Sequence, residues 1–272
     1  MWKPKITLPD GPLDFIGDVH GEVHALRSLL FHLGYSPEGD HPGGRTLVFL
    51  GDLVDRGCDS IATVETVFGL IARGRAHCVM GNHDLNAAAG MHKVDNTWLF
   101  GHGPVHPGER SVESEGQRQE LLALLATLPL GAERDDVRAV HACWRDDSFA
   151  TLSGAVGPVE ALAEHKHRIR ATIDPDAPQA YRNITFQNNN PVKVLTSGPE
   201  TICAPYFAGG KMRCEDREPW WNVYTDAPMV VIGHYWRIKV SILQKEDRLF
   251  AGYPLNSTLG AGNVMCIDYS VG

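Results

Sequence analysis

Two hydrophobic periods alternate along the first third of the chain. Residues 13–17 (Leu-Asp-Phe-Ile-Gly) read as a short strand. Val23, Leu26, Leu29, Leu30 and Leu33 then recur at helical spacing, and Gly34 follows as a stop. Residues 46–50 are a continuous apolar run, as expected of a strand covered on both faces. Ile61, Val64, Val67, Phe68 and Ile71 predict a helix over 60–73, and residues 77–80 predict the next strand. The order β-α-β-α-β predicts an α/β sheet with right-handed crossovers.

Beyond residue 84 the pattern loosens. Residues 85–115 mix Gly, Pro, His and Trp without a clear period. A helix is expected over 117–128, a strand over 137–140 ending at His141, and a helix near 159–170. A polar loop is expected to run to Asn190, then a strand over 192–195. Residues 198–228 read as a long connection with a hairpin turn at Gly209-Gly210. Strands are expected over 229–232, 239–243 and 264–267. Neither a repeat nor a linker interrupts this series, which predicts one domain over 1–272 with insertions around 85–130 and 198–228.

Composition narrows the setting. The chain has 272 residues, 43% of them hydrophobic, enough for a substantial core. A net charge of -8 argues against nonspecific nucleic-acid binding, but not against a phosphate substrate held by divalent ions. The 6 cysteines are scattered without a CxxC pair, so free thiols are expected. The N-terminus lacks a signal-peptide core, and no apolar run is long enough to cross a bilayer. The reading is a soluble cytoplasmic protein without a membrane partner.

The chemistry-bearing residues gather where predicted strands end. Asp18, His20, Asp52, Asn82, His141 and His234 are all oxygen or nitrogen donors at such positions. Open α/β sheets bind ligands beyond their strand carboxyl ends. Six donors exceed the needs of one tetrahedral ion and suit two ions that share a carboxylate, for which Asp52 is the natural bridge.

Taken together, Asp18-Val19-His20, Gly51-Asp52-Leu53-Val54-Asp55-Arg56-Gly57, Gly81-Asn82-His83-Asp84, the strand-end His141 and the Gly233-His234 pair resemble the calcineurin-like metallophosphoesterases. The second motif is similar to the phosphoprotein-phosphatase branch, which includes serine/threonine protein phosphatases and bacterial diadenosine tetraphosphate hydrolases. Leu128-Pro129, the closing residues 263–268, and Trp236 in place of a further histidine also look like that branch.

The resemblance implies a calcineurin-like four-layer sandwich. Two mixed β-sheets are flanked by helices, with a dinuclear metal site at the strand ends. It implies one ion on Asp18, His20 and Asp52, and a second on Asp52, Asn82, His141 and His234. Two divalent ions are expected, manganese first, then iron or zinc. The implied reaction is phosphate-ester hydrolysis by direct attack of a metal-bridging hydroxide. His83 would be the general acid, Asp55 would orient it, and Arg56 would bind the phosphate.

The first expectation for the substrate is a phosphoprotein, as for a serine/threonine-type phosphomonoesterase. A dinucleoside polyphosphate such as diadenosine tetraphosphate is the alternative, and an inactive metal-binding interaction module is the alternative of another class. Arg145 is put forward as a second phosphate contact, with Arg182, Lys211 and Arg213 as further candidates. Tyr206, Phe207, Trp220, Trp221 and Trp236 could form an aromatic rim, and His102 and His106 could line the site. Asp84 reads as a turn stabiliser and Cys143 as a core residue.

Overall fold

The computed structural model describes residues 1–101, 108–208, 211–237 and 249–269. The elements in chain order begin with β1 (Lys5–Thr7), β2 (Leu13–Ile16), α1 (Val23–Leu33), β3 (Thr46–Phe49), α2 (Ser60–Ala72), β4 (Ala76–Cys78) and α3 (Asn82–Ala88). They continue with α4 (Thr97–Phe100), α5 (Glu115–Leu125), β5 (Gly131–Glu133), β6 (Val137–Val140), α6 (Asp146–Thr151) and α7 (Pro158–Thr172). The last are α8 (Gln179–Asn189), α9 (Pro191–Ser197), β7 (Glu200–Ala208), β8 (Lys211–Arg217), β9 (Met229–Ile232) and β10 (Val264–Cys266).

Two sheets carry the site. The larger runs β1-β5-β6-β9-β10 and is mixed, because β5 pairs antiparallel with β6 while the other pairs are parallel. The smaller runs β2-β3-β4 and is parallel among the described residues. The alternation of side chains along each strand explains how they stack. Leu47 and Phe49 of β3 join the core shared with Leu26 and Leu30 of α1 and Val64 and Val67 of α2. Val48 and Leu50 point the other way and pack with Ala132, Val137, Ala139 and Val231 of the larger sheet. The apolar run at 46–50 is therefore covered on both faces, and the layers are helix, sheet, sheet, helix. Among the described residues no helix is long and apolar enough to cross a membrane, and no disulfide joins two cysteines.

Two expectations are corrected, and two strands left no signal in the sequence. Residues 192–195 are not a strand but lie in α9, which starts with Pro191 behind an Asn190 side chain that accepts from the Val192 N–H at 3.2 Å. Asn-Pro is a helix-start signal. A short helix with Val192, Val194 and Leu195 all buried cannot be told from a buried strand by period alone. The polar loop before it holds α8, whose Asn188 amide pairs with both backbone groups of Glu200, at 2.8 and 2.9 Å. The three-residue strands β1 and β5 are too short to leave a period, and they form one edge of the larger sheet. The expected hairpin is present as β7–β8, while its tip, Gly209-Gly210, and the expected strand 239–243 lie outside the described residues.

Candidate metal centre

The loops after β2, β3 and β4 converge because backbone hydrogen bonds lace them together. The N–H groups of Val19 and His20 donate to the Asp52 carbonyl at 3.1 and 2.8 Å, and Gly57 donates to the His20 carbonyl at 2.8 Å. The approach is so close that a Cβ on Gly81 would lie 2.2 Å from Asp52 Oδ1. Glycine is required there for space.

Among the described residues, six that are not glycine have positive φ: His20, Asp52, Asp55, Arg56, His234 and Asn256. All but Asn256 belong to this cluster. Such backbone is costly and persists where surrounding contacts over-determine it.

The structure brings all six expected donors together. Asp52 Oδ2 lies 3.7 Å from His20 Nε2 and 3.3 Å from His141 Nε2. Asn82 Oδ1 is 3.2 Å from His141 Nε2. Asp18 lies 3.9 Å from His20 Nε2 and accepts the His234 backbone N–H at 3.2 Å. Ligand atoms of His20, Asp52 and His83, and of Asp52, His141 and His234, form two groups within 4.8 Å, with Asp52 common to both.

Tautomers are set by the backbone. His20 Nδ1 is 3.0 Å from the Val54 carbonyl, and His141 Nδ1 is 2.6 Å from the Leu50 carbonyl. A carbonyl only accepts, so each Nδ1 carries its hydrogen and each Nε2 is the nitrogen turned toward the cluster. This orientation is typical of metal-ligating imidazoles.

Electrostatics point the same way. Burial pushes the Asp18 carboxyl well above its usual range, His141 opposes the rise, and Asp268 and Asp52 add to it. Burial also raises Asp52, yet the imidazoles of His141, His83 and His20 together hold it well below. Burial lowers His141, but the Asp52 and Asp18 carboxylates overcome it and push the ring up to about 10. Burial lowers His20 to about 4. Two buried carboxylates ringed by imidazoles form a site in which added cationic charge is favoured, and the all-N/O donor set fits divalent ions.

Beside this cluster stands a second set. His83 Nδ1 donates to Asp55 Oδ2 at 2.6 Å, and Asp55 Oδ1 accepts the Trp98 indole N–H at 2.8 Å. Arg56 donates to His20 Nε2 at 3.0 Å and to His83 Nε2 at 3.2 Å. Its guanidinium lies 5.0 Å from the centre of the half-exposed Trp236 ring. Burial would lower His83, but Asp52 and Asp55 raise it.

Asp84 is fully buried and accepts the N–H groups of Leu53 at 2.9 Å and Gly81 at 3.0 Å. It ties the second and third motif loops together. Asp84→Ala leaves both donors unsatisfied and is expected to cost about 2–4 kcal/mol, or roughly 5–15 °C in Tm. A thermal scan checks this, and an unchanged Tm would remove Asp84 from the frame of the site.

Arg145 directly precedes α6 and lies 4.0 Å from Asp147, with its side chain nearly half exposed. Arg182 bonds the Pro175 carbonyl and Gln179. Trp220 and Trp221 are buried, Trp221 stacking on Phe250 and Trp220 donating to the Ala142 carbonyl at 3.0 Å, so they cannot serve an exposed rim. Burial pushes the Cys143 thiol up, in keeping with a core residue. His102 and His106 lie outside the described residues.

Two contacts were not anticipated from sequence. One is Trp98 on Asp55. The other is Arg217 of β8, which donates to the His234 carbonyl at 3.1 Å and ties the hairpin to the site.

Residues 11–235 match the family model described as calcineurin-like phosphoesterase. The chain is 43% identical over 159 residues to a bis(5'-nucleosyl)-tetraphosphatase PrpE (asymmetrical) of Geobacillus thermodenitrificans, covering 53% of this chain and 62% of that protein. It is 34% identical over 156 residues to a symmetrical bis(5'-nucleosyl)-tetraphosphatase of Methylococcus capsulatus, covering 55% of this chain and 50% of that one. The matched stretches span less than two thirds of these relatives' lengths. A cold-active protein-tyrosine phosphatase of a psychrophilic Shewanella aligns over 97% of this chain and 74% of its own at 17% identity, with a TM-score of 0.49.

Proposed function

The chain belongs to the calcineurin-like phosphoesterase family, and from that premise we propose that it is a metal-dependent phosphoester hydrolase acting on a dinucleoside polyphosphate. The observation that carries the hydrolase reading is the junction of the two sets of residues. Asp52 sits in the donor cluster, and its Oδ1 also accepts the backbone N–H of His83 at 2.8 Å. The groups for metal and for proton transfer are thereby held in one frame.

Asp18, His20 and Asp52 would hold one ion; Asp52, Asn82, His141 and His234 would hold the other. When bound, two divalent ions supply positive charge and a water acidic enough to react near neutral pH. The chain's own residues do the rest. Arg56 exchanges its imidazole partners for phosphate oxygens, which it can fork. His83 Nε2 donates a proton to the departing oxygen, while Asp55 holds the opposite ring nitrogen and favours the protonated ring.

Between the two substrate readings, the relatives named bis(5'-nucleosyl)-tetraphosphatases support the dinucleotide over the phosphoprotein. Trp236 supports it too, as an accessible indole beside Arg56 on which a base can stack. Trp236→Ala is expected to raise KM for diadenosine tetraphosphate by about tenfold, stacking being worth roughly 1–3 kcal/mol per base. The same change should alter kcat/KM for p-nitrophenyl phosphate by less. Steady-state kinetics on diadenosine tetraphosphate, a phosphoserine peptide and p-nitrophenyl phosphate with manganese test the proposal. Faster turnover of the peptide than of the dinucleotide would overturn the substrate reading, and turnover of none would overturn the hydrolase.

A further inference from the structure

The stretch from Val94 to Phe100 contributes no donor to the cluster, yet it touches the Asp55–Arg56 pair twice. Trp98 is fully buried in the main core, and its indole N–H meets Asp55 Oδ1 at 2.8 Å. Asp95 brings a carboxylate to 4.0 Å from Arg56 Nε. Asp55 and Arg56 are consecutive residues with φ of 73° and 71°, a costly backbone that persists only where surrounding contacts over-determine it.

We propose that Trp98 is the positioning residue of the Asp55–His83 pair. The proposal rests on the reading of His83 as the general acid. A carboxylate can swing about its last bond and offer either oxygen, or both, to the imidazole. Here Oδ2 takes His83 Nδ1 at 2.6 Å and Oδ1 takes the indole at 2.8 Å. The Asp55 backbone N–H is also held, by Ser60 Oγ at 2.9 Å. With the indole locked by the core, the carboxylate plane is set, and with it the direction in which His83 Nε2 faces the departing oxygen. Trp98 touches no reacting atom. Its effect is on the proton delivered to the leaving group, and not on phosphate binding or metal loading.

That separation makes the test specific. A phenoxide leaves with more need of a proton than a p-nitrophenoxide does, so a misaligned acid slows phenyl phosphate more. Trp98→Phe keeps an aromatic ring in the core and removes the N–H. It is expected to lower kcat for phenyl phosphate by about tenfold, a part of the 10²–10⁴ that general acid catalysis supplies, and to change kcat for p-nitrophenyl phosphate by less than about twofold. KM for both substrates and bound manganese should stay as in the wild type.

Benzothienylalanine placed at position 98 is the control for packing, since it keeps the shape of the indole without the donor. It should reproduce the selective loss even where the phenylalanine protein folds poorly. An equal loss on both substrates, or no loss, in the benzothienylalanine protein would overturn the positioning role. His83→Ala assayed on the same pair separates the two levels. If it loses phenyl phosphate selectively while position 98 does not matter, the inference alone fails. If it shows no selectivity, the acid assignment fails and the inference with it.

Discussion

An Asp52→Asn protein is expected to fold and yet lose both its metal and its activity. Asn has nearly the shape of Asp, and its amide oxygen can still accept the His83 backbone N–H that Asp52 Oδ1 now takes at 2.8 Å. The charge is what disappears. Asp52 is the one residue present in both groups of converging ligand atoms, so its loss weakens both ions at once. The turnover of p-nitrophenyl phosphate should fall on the order of a thousandfold or more, as for removal of a group on which several others depend. Elemental analysis of the purified protein should show less than the wild-type manganese content. Equal metal content in the variant would count against Asp52 as the shared ligand.

The second large effect is expected at His83, with the opposite signature. His83→Ala should lower kcat by about 10²–10⁴ while metal content stays at the wild-type level. Asp55 keeps its Trp98 partner in that variant, so the buried carboxylate is not left without a donor. The distinction matters because His83 also lies within reach of His20 and Asp52 as a ligand atom. Its Nδ1 is committed to Asp55, however, and its Nε2 already meets Arg56 at 3.2 Å. Loss of an ion on mutation would make His83 a ligand and not the acid. Undiminished turnover would remove it from the chemistry altogether.

The two variants together describe how the site divides its labour. Its polar groups are nearly all buried and nearly all paired with one another, which makes single deletions expensive. Asp84, Trp98 and Arg217 carry the frame: Asp84 joins two motif loops, Trp98 fixes Asp55, and Arg217 holds the His234 carbonyl. None of the three has a place in the proposed reaction, yet each is bonded to a residue that does or to that residue's neighbour in the chain.

Much of the frame was legible in the residues themselves. The alternation over 13–80 predicted β2, α1, β3, α2 and β4, because each element is long enough, or apolar enough, to leave a period. Asp18, His20, Asp52 and Asn82 could be singled out because each sits one loop beyond such a strand. What escaped had weaker local signals. Helix α9 is so thoroughly buried that its apolar positions no longer mark one face. Helix α8 carries polar amides whose partners are in another element, so its sequence looked like a loop.

By itself, then, the sequence determined the kind of chemistry, since donor types and their spacing behind strands are properties of short segments. Only the tertiary structure decided which distant groups complete it. His141 reaches Leu50 across 91 positions, the His234 N–H reaches Asp18 across 216, and Trp98 reaches Asp55 across 43 from an aperiodic stretch. Such pairings arise from how two sheets stack and where an aperiodic stretch packs. Burial then enforces them, because a polar group removed from water must find a partner wherever the fold provides one.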